Sequence, residues 1–388
     1  MTVYIHALGI NNALGASGEQ VLAQLQLNQS QGMQPYASLT SGRTTMVARV
    51  VQELPEIPSS LAAYDSRANR LLLQAYSQIA EQVEQQVEVF GAQRIAVLLG
   101  NTTSGVQEME TLLQQLGNGP EFEQRHNYQT EELQSGAQFL CRYAQLTGPS
   151  LVISTACTSS GKALIQGHRM IQAGLCDAAI VGGVDSLCDM TLNGFDALES
   201  LEPGLTRPLS VNRQGINIGE GAALMLLSKA PATTALLGYG ESSDGYHISS
   251  PDPEGRGAEL VMRQALEMAG LSAEDIGYLN LHGTGTPKND EMETKAVSRV
   301  LPEVPVSSTK PLIGHTLGAA SAQELGLCYL LLNASAAQVP PHLFDQQPDP
   351  QLAKVNRLDK PLAVNFANMM SNSFAFGGSN LSLIIGRV

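Results

Sequence analysis

The chain has 388 residues, enough for two or three domain-sized units at roughly 150 residues each, and its 22 basic and 36 acidic side chains leave a formal charge of −14. That balance excludes the basic stripe with which a nucleic-acid binder displaces counterions, and it argues equally against docking on anionic lipid. Charged residues make up only 15% and hydrophobic ones 43%, which rules out a disordered chain and leaves apolar surface for a large core and a subunit interface.

From the N-terminus, the segment MTVYIHALGINNALG lacks the basic start and continuous apolar core of a signal peptide. The spacing of Leu72, Tyr76, Ile79, Val83 and Val87 predicts a helix capped by Asp65 and running to about Gln86. Pro55 and Pro58 precede it, Pro203 and Pro208 bracket a loop, and Pro340 to Pro361 is a longer irregular stretch. The remaining apolar runs are short, apolar on both faces and end in Gly, Ser or Thr, as the strands of a helix-covered sheet do. No run approaches the roughly 18 apolar residues of a membrane span; Leu325–Leu332 is short and broken by Gly326. Cys141, Cys157, Cys176, Cys188 and Cys328 form no CxxC pair. Neither a disulfide framework nor a zinc site is expected, and a cytoplasmic protein with reduced thiols is.

Four segments recur in the same order. Ile95–Gly105 resembles Ile276–Pro287, Leu151–Gly167 resembles Val304–Gly318, Ala178–Ser186 resembles Leu362–Met370, and Ile218–Leu227 resembles Phe376–Ile385. The pattern predicts a duplicated α/β fold, with halves 1–231 and 232–388 in which strands alternate with helices.

Three motifs carry nucleophile or acid–base chemistry. Cys157 sits in TACTSSG between a strand and a helix, where a helix N-terminus favours thiolate and small neighbours leave room for a substrate. His282 follows a strand in HGTGTP, and His315 follows Lys310 in STKPLIGH; both are placed to converge on Cys157 at strand ends. In FAFGGSN, Phe376-Gly377-Gly378 is either a backbone donor brought towards the thiol or a plain turn, and the motif alone leaves both open. No Gly-x-Gly-x-x-Gly follows a first strand, and no cluster has metal-ligand spacing.

Together TACTSSG, HGTGTPKNDEME and STKPLIGH, from IHALGINNALG to NSFAFGGSNLSL, resemble the β-ketoacyl-[acyl-carrier-protein] synthases, elongating condensing enzymes of the thiolase fold. The resemblance implies a layered α-β-α-β-α architecture. It implies that Cys157 takes an acyl chain from acyl-carrier protein and that His282 and His315 stabilise the enolate formed when malonyl-carrier protein loses CO2. It further implies an oxyanion hole from the N–H groups of Cys157 and Phe376, with Phe374 and Phe376 as gate residues. Lys310 would fix the His315 region, with Asp290 and Glu293 as supporting carboxylates, and Ser249, Thr284 and Thr286 would bind the phosphopantetheine arm. No flavin, nicotinamide or metal is implied, since the substrates ride on the carrier protein.

The family's acidic Phe-Asp…Arg-Asp-Gly loop reads LSVNRQG over 209–215, with both acidic positions lost. The shorter, Gln-rich chain suits a polyketide- or polyene-type pathway as well as fatty-acid synthesis. A thiolase would need a second Cys where Phe376-Gly-Gly stands, and a priming synthase would carry Asn in place of His315. A non-catalytic chain-length-factor-like subunit would lack Cys157, and an acyl-thioester hydrolase would need a base paired with the thiol and access for water. Partners implied are acyl-carrier protein and a second subunit, in a homodimer or a heterodimer with a related ketosynthase or chain-length-factor-like chain. Arg67 and Arg70, on the first turn of the Asp65 helix, are either the basic patch on which the carrier protein docks or ordinary solvated helix charges.

Overall fold

The computed structural model describes residues 1–388. Ten strands form the main sheet: β1 (Tyr4–Asn11), β2 (Ile95–Gly100), β3 (Ser150–Ile153), β4 (Ala178–Asp185), β5 (Gly221–Ser228), β6 (Thr234–Ser243), β7 (Ile276–Asn280), β8 (Val306–Ser307), β9 (Asn368–Phe374) and β10 (Ser379–Arg387). Their spatial order is β3-β2-β4-β5-β1-β6-β10-β9-β7-β8. From either edge to the centre the order is third, second, fourth, fifth and first strand of a half, so the topology carries the expected duplication. In each half the three outer strands run parallel, and the fifth runs antiparallel to its neighbours. The halves join where β1 meets β6, through the pairs Tyr4–Ala235 and Ile5–Thr234.

Helices α1 (Arg67–Tyr76), α2 (Ala80–Phe90) and α3 (Ser135–Tyr143) cover the outer face of the first half. Between the two sheet faces lie α4 (Ser159–Gln172) and, from the second half, α8 (Ala320–Asn333). A further helix, α5 (Asp189–Ala197), follows β4, and α6 (Arg256–Ala269) with α7 (Pro287–Val300) covers the outer face of the second half. The result is five layers, α-β-α-β-α. A helix covered by sheet on both sides is largely apolar all round, and beyond its first turn α8 is: Leu325, Leu327, Cys328, Leu331 and Leu332 are all buried. The largest apolar cluster accordingly draws on both halves, from Leu98 and Val181 to Leu325 and Leu383. No helix is long and apolar enough to cross a membrane.

Two expectations need correction. The helix begun near residue 65 is two helices, and its cap is Ser66, whose Oγ accepts from Asn69 N–H, not Asp65. Asp65 instead pairs with Arg70, and the chain turns at 77–79 before α2 begins. The counterpart of Ala178–Ser186 is Asn368–Phe374, six residues beyond Leu362–Met370; Leu362–Ala363 pairs with Gln338–Val339 in a separate ribbon. Polar residues concealed the true strand. Ser371, Asn372 and Ser373 are buried in it; Asn372 Oδ1 accepts from Ser382 Oγ (2.6 Å), and Ser373 Oγ donates to Ser321 Oγ (2.7 Å).

The first turn of α4 lies directly on the sheet. A Cβ at Gly100 would fall 2.1 Å from Ser160 N, and one at Gly183 would fall 2.7 Å from Ser160 Cβ. Gly100→Ala therefore pushes a backbone, not a flexible side-chain end, and should destabilise the fold by about 2–3 kcal/mol. Thermal or urea unfolding checks this; unchanged stability would mean that α4 does not sit this close to β2.

Candidate active site

Cys157 occupies a sharp turn between β3 and α4. Ala156 just before it has φ +52°, a left-handed backbone that costs any residue bearing a Cβ. The turn is held locally: Thr155 N–H donates to Ser159 Oγ (2.8 Å), Ser159 Oγ donates to Ala156 O (2.5 Å), and Thr158 Oγ1 donates to Thr155 O (2.8 Å). The second half repeats the device. Leu317, at φ +50°, precedes α8, and His315 lies two residues before it. His315 is pinned through its backbone, its N–H donating to Asn217 O (2.7 Å) and its carbonyl accepting from Gly219 N–H (2.9 Å).

His282 ends β7 and is fixed from α7. Glu293 accepts from His282 N–H (2.8 Å) and Gly283 N–H (2.7 Å), while Asp290 accepts from Gly285 N–H (3.2 Å) and Leu209 N–H (2.8 Å). Gly285 has φ +76°, and a Cβ there would lie 2.4 Å from Thr206 Oγ1, so this turn requires glycine. Lys310, buried with Glu324, donates to that carboxylate and to His282 O, and its Nζ lies 3.5 Å from His282 Nδ1. The expected roles are thus reassigned. Lys310, Asp290 and Glu293 secure the His282 turn, and none of them bonds to His315. Glu324 went unrecognised because it lies inside an apolar helix, fourteen residues from its lysine.

Cys157 Sγ lies 2.9 Å from His315 Nε2, and the ligand atoms of Cys157, His282 and His315 fall within 4.8 Å of one another. That spacing would also admit a tetrahedral divalent cation with one open position. Burial, then the Lys310 charge, lowers both imidazoles well below their usual range, so they are neutral. Their tautomers follow from their partners. The Lys310 ammonium is only a donor, so His282 Nδ1 is bare and Nε2 carries the proton. His315 Nδ1 is buried without a partner, and a bare lone pair there is less costly than an orphaned N–H. Both rings therefore present Nε2–H. Burial pushes the Cys157 thiol up to about 12, although Lys310 and the N–H groups of Phe376 and Cys157 pull it down. The expected resting thiolate is corrected to a thiol, because desolvation outweighs the helix terminus.

These groups form the base of a cavity of about 480 Å³. Ser249, Thr284 and Thr286 line it, as do Phe374, set against His282 (ring centroids 6.0 Å), and Phe376, set against Phe195 (5.8 Å). Gly377 (φ +82°) donates to Ile248 O (2.7 Å) and ties the last turn to the rim. The docking expectation for Arg67 and Arg70 is not met by their geometry. Arg67 turns inward onto buried Glu220 (Nε–Oε2, 2.8 Å), and Arg70 grips Asp65 with two bonds (2.7 and 2.8 Å). The altered 209–215 loop is tethered to a distant segment: Asp345 accepts from Ser210 Oγ and Asn212 Nδ2 (both 2.8 Å), and Asp349 from Arg213 (2.6 Å). Asp185, which sequence reasoning missed, is buried and accepts five bonds, from Thr102 and Thr103 through both N–H and hydroxyl and from Gly318 N–H. Its only signal is a carboxylate ending the strand AAIVGGVD.

Residues 25–232 match the β-ketoacyl synthase N-terminal domain and residues 233–344 the β-ketoacyl synthase C-terminal domain. Nodulation protein E of Rhizobium meliloti is 36% identical over 256 residues, 63% of this chain and 63% of that protein. The chain thus spans under two thirds of that relative's length. 3-Oxoacyl-[acyl-carrier-protein] synthase 2 of Vibrio cholerae is 34% identical over 326 residues, 76% of this chain and 77% of that protein. Among solved structures, a ketosynthase in complex with its chain length factor from Xenorhabdus doucetiae superposes with TM-score 0.95 at 44% identity, covering 100% of this chain and 98% of that one. A β-ketoacyl synthase from Burkholderia phymatum superposes with TM-score 0.88 at 26% identity, covering 100% and 99%.

Two outcomes test this geometry. With the thiol at about 12, the thiolate fraction grows in proportion to hydroxide concentration, so Cys157 alkylation should quicken about ten-fold per pH unit from 7 to 9. A plateau near neutrality would instead reveal a resting thiolate. Lys310→Met leaves Glu324 buried without its cation and should cost about 3–5 kcal/mol, part of which Lys310→Met with Glu324→Leu restores. Equal stability of the single and double variants would contradict the pairing.

Proposed function

The chain belongs to the β-ketoacyl synthase family, and we propose that it elongates acyl chains by decarboxylative Claisen condensation, holding the acyl group as a thioester on Cys157. The convergence of one thiol, two neutral imidazoles presenting Nε2–H and two backbone N–H groups at the base of one cavity carries this reading.

The first step is thioester exchange. Cys157 Sγ attacks an acyl group on the phosphopantetheine arm of a carrier protein, and the proton it gives up is regained by the departing pantetheine sulfur. A thiol suits this step because it both attacks and leaves well. The tetrahedral oxyanion takes hydrogen bonds from the N–H groups of Cys157 and Phe376. Malonyl-carrier protein then follows along the same cavity. Its C–CO2 bond breaks, and the electron pair passes into an enolate whose oxygen accepts from His282 and His315 Nε2–H. Neutral donors are what this step needs, since an imidazolium would protonate the carbanion before it could react. The enolate carbon attacks the acyl carbonyl, the new C–C bond forms, and Cys157 leaves as thiolate. The product is a β-ketoacyl-carrier protein two carbons longer. Electrons balance without an oxidant or reductant, so no separate redox cofactor is invoked.

Thr284, Thr286 and Ser249 supply hydroxyl partners for the amides of the arm, and Phe374 and Phe376 gate the acyl space. The work is assigned to the cytoplasm, beside the carrier protein, in fatty-acid or polyketide/polyene synthesis. A second subunit completes the enzyme. The Xenorhabdus ketosynthase was captured with its chain length factor, which favours a related partner chain over a second copy of this one. The open edge of β3, where Leu151 is 44% exposed, offers a place to pair.

Intact-protein mass after incubation with acyl-carrier-protein thioesters, with and without the partner chain, tests the reading. An acyl adduct should form on the wild type and not on Cys157→Ala, then clear as a two-carbon-longer product when malonyl-carrier protein is added. His282→Ala should still acylate yet condense about 10²–10³-fold more slowly. Loss of the adduct by hydrolysis, with no elongated product, would overturn the condensing role in favour of a hydrolase.

A further inference from the structure

The cavity carries one cation and one carboxylate on its lining, Lys288 and Glu199. Lys288 is exposed at the rim, in the first turn of α7, while Cys157 is buried at the base. Its neighbours treat it differently from the other surface cations nearby. Lys295, two turns further along α7, is held by Glu254 (3.3 Å) and Glu291 (3.1 Å), and Arg256 is held by Asp252 (2.7 Å). Lys288 has instead a single hydrogen bond, to Ser250 Oγ (2.9 Å). That serine is a rim residue too, and its hydroxyl keeps lone pairs and a proton free for a ligand. The terminus on which Lys288 stands adds to the same field. α7 is fourteen residues long, has proline at its first position, and receives no side-chain cap from Thr286. Its positive end faces the rim without a capping oxygen.

We propose that Lys288 and Ser250 form a phosphate subsite that holds the phosphodiester of the phosphopantetheine arm at the cavity mouth. The inference rests on the arm entering this cavity, as in the proposed function. The chemistry of the arm matches the order of groups along the wall. Its sulfur end belongs at Cys157, its amides beside the hydroxyls of Thr284, Thr286 and Ser249, and its dianionic or diester end at the only cation on the lining. This location also addresses the electrostatic problem of a chain charged −14 that receives an anionic arm. Attraction is concentrated at one point on the arm, not spread over a basic face.

Protection of Cys157 from iodoacetamide, read by intact mass, tests the subsite without requiring turnover. The probes are the S-methyl thioethers of phosphopantetheine and pantetheine, which differ only in the phosphate. The wild-type protein should be half-protected at an about ten-fold lower concentration of the phosphorylated probe, the effect of one charge-assisted hydrogen bond. Lys288→Gln should shrink that ratio to below about three-fold, Lys288→Arg should retain it, and added salt should narrow it. Equal protection by the two probes in the wild type, no protection by either, or a ratio unchanged in Lys288→Gln would overturn the proposal. A phosphate-dependent ratio in a protein that forms no acyl adduct from carrier-protein thioesters would uphold the subsite while removing the condensation reading.

Discussion

Two residues in left-handed backbone, Ala156 and Leu317, set the position of everything at the base of the cavity. Each costs roughly 1–2 kcal/mol for an L-residue, a cost met by neighbours that over-determine the turn. The first is held by Ser159 and Thr158 within its own segment, the second by Gly318 N–H on Asp185 (2.6 Å) from the opposite half. Both turns feed the N-termini of helices that lie back to back, α4 and α8. Ser321 at the start of α8 donates to Cys157 O (2.9 Å), and Ala322 N–H donates to Ser160 Oγ (3.0 Å). A duplicated fold thereby delivers a thiol from one copy and an imidazole from the other to a single point.

Three buried acidic side chains in this protein work as backbone clamps. Asp185, Asp290 and Glu293 are all buried, and each binds main-chain N–H groups of a loop that carries or adjoins a site residue. Burial pushes Glu293 and Glu324 up to about 7, while their donors pull them down. A clamp of this kind needs a carboxylate because one group must satisfy donors from two or more directions. It also places part of the acidic excess inside, where it does not add to the surface field met by an approaching partner.

Much of this was legible in the sequence, and the gaps have physical causes. Cys157 and His282 were readable because each follows an apolar strand in a run of small residues, and His315 because STKPLIGH sets it in a Gly-bounded turn. The duplication was readable for strands that are wholly apolar, such as Ile95–Gly100, and missed by six residues for Asn368–Phe374, whose buried serines and asparagine imitate a loop. The thiol's protonation was misread because a helix terminus is a local property and burial is not. Lys310 was recognised and its target was not. Nothing in STKPLIGH reveals that its ammonium reaches back to the carbonyl of His282. Arg67 looked free because its partner Glu220 lies 153 residues away, whereas the partner of Arg70, Asp65, is only five residues back and was assigned to the helix cap instead.

The separation between the two halves has a consequence in time as well as in space. Cys157 and the imidazole 2.9 Å from it are 158 residues apart in the chain. A polypeptide made from its N-terminus therefore carries the cysteine long before His315, Lys310 or the Phe376 N–H has been synthesised. The last strand of the sheet along the chain, β10, spans Ser379–Arg387. Until it is added, β6 and β9 both lack the neighbour that lies between them. Order along the chain thus separates the thiol from the groups that surround it, which arrive only with the second half.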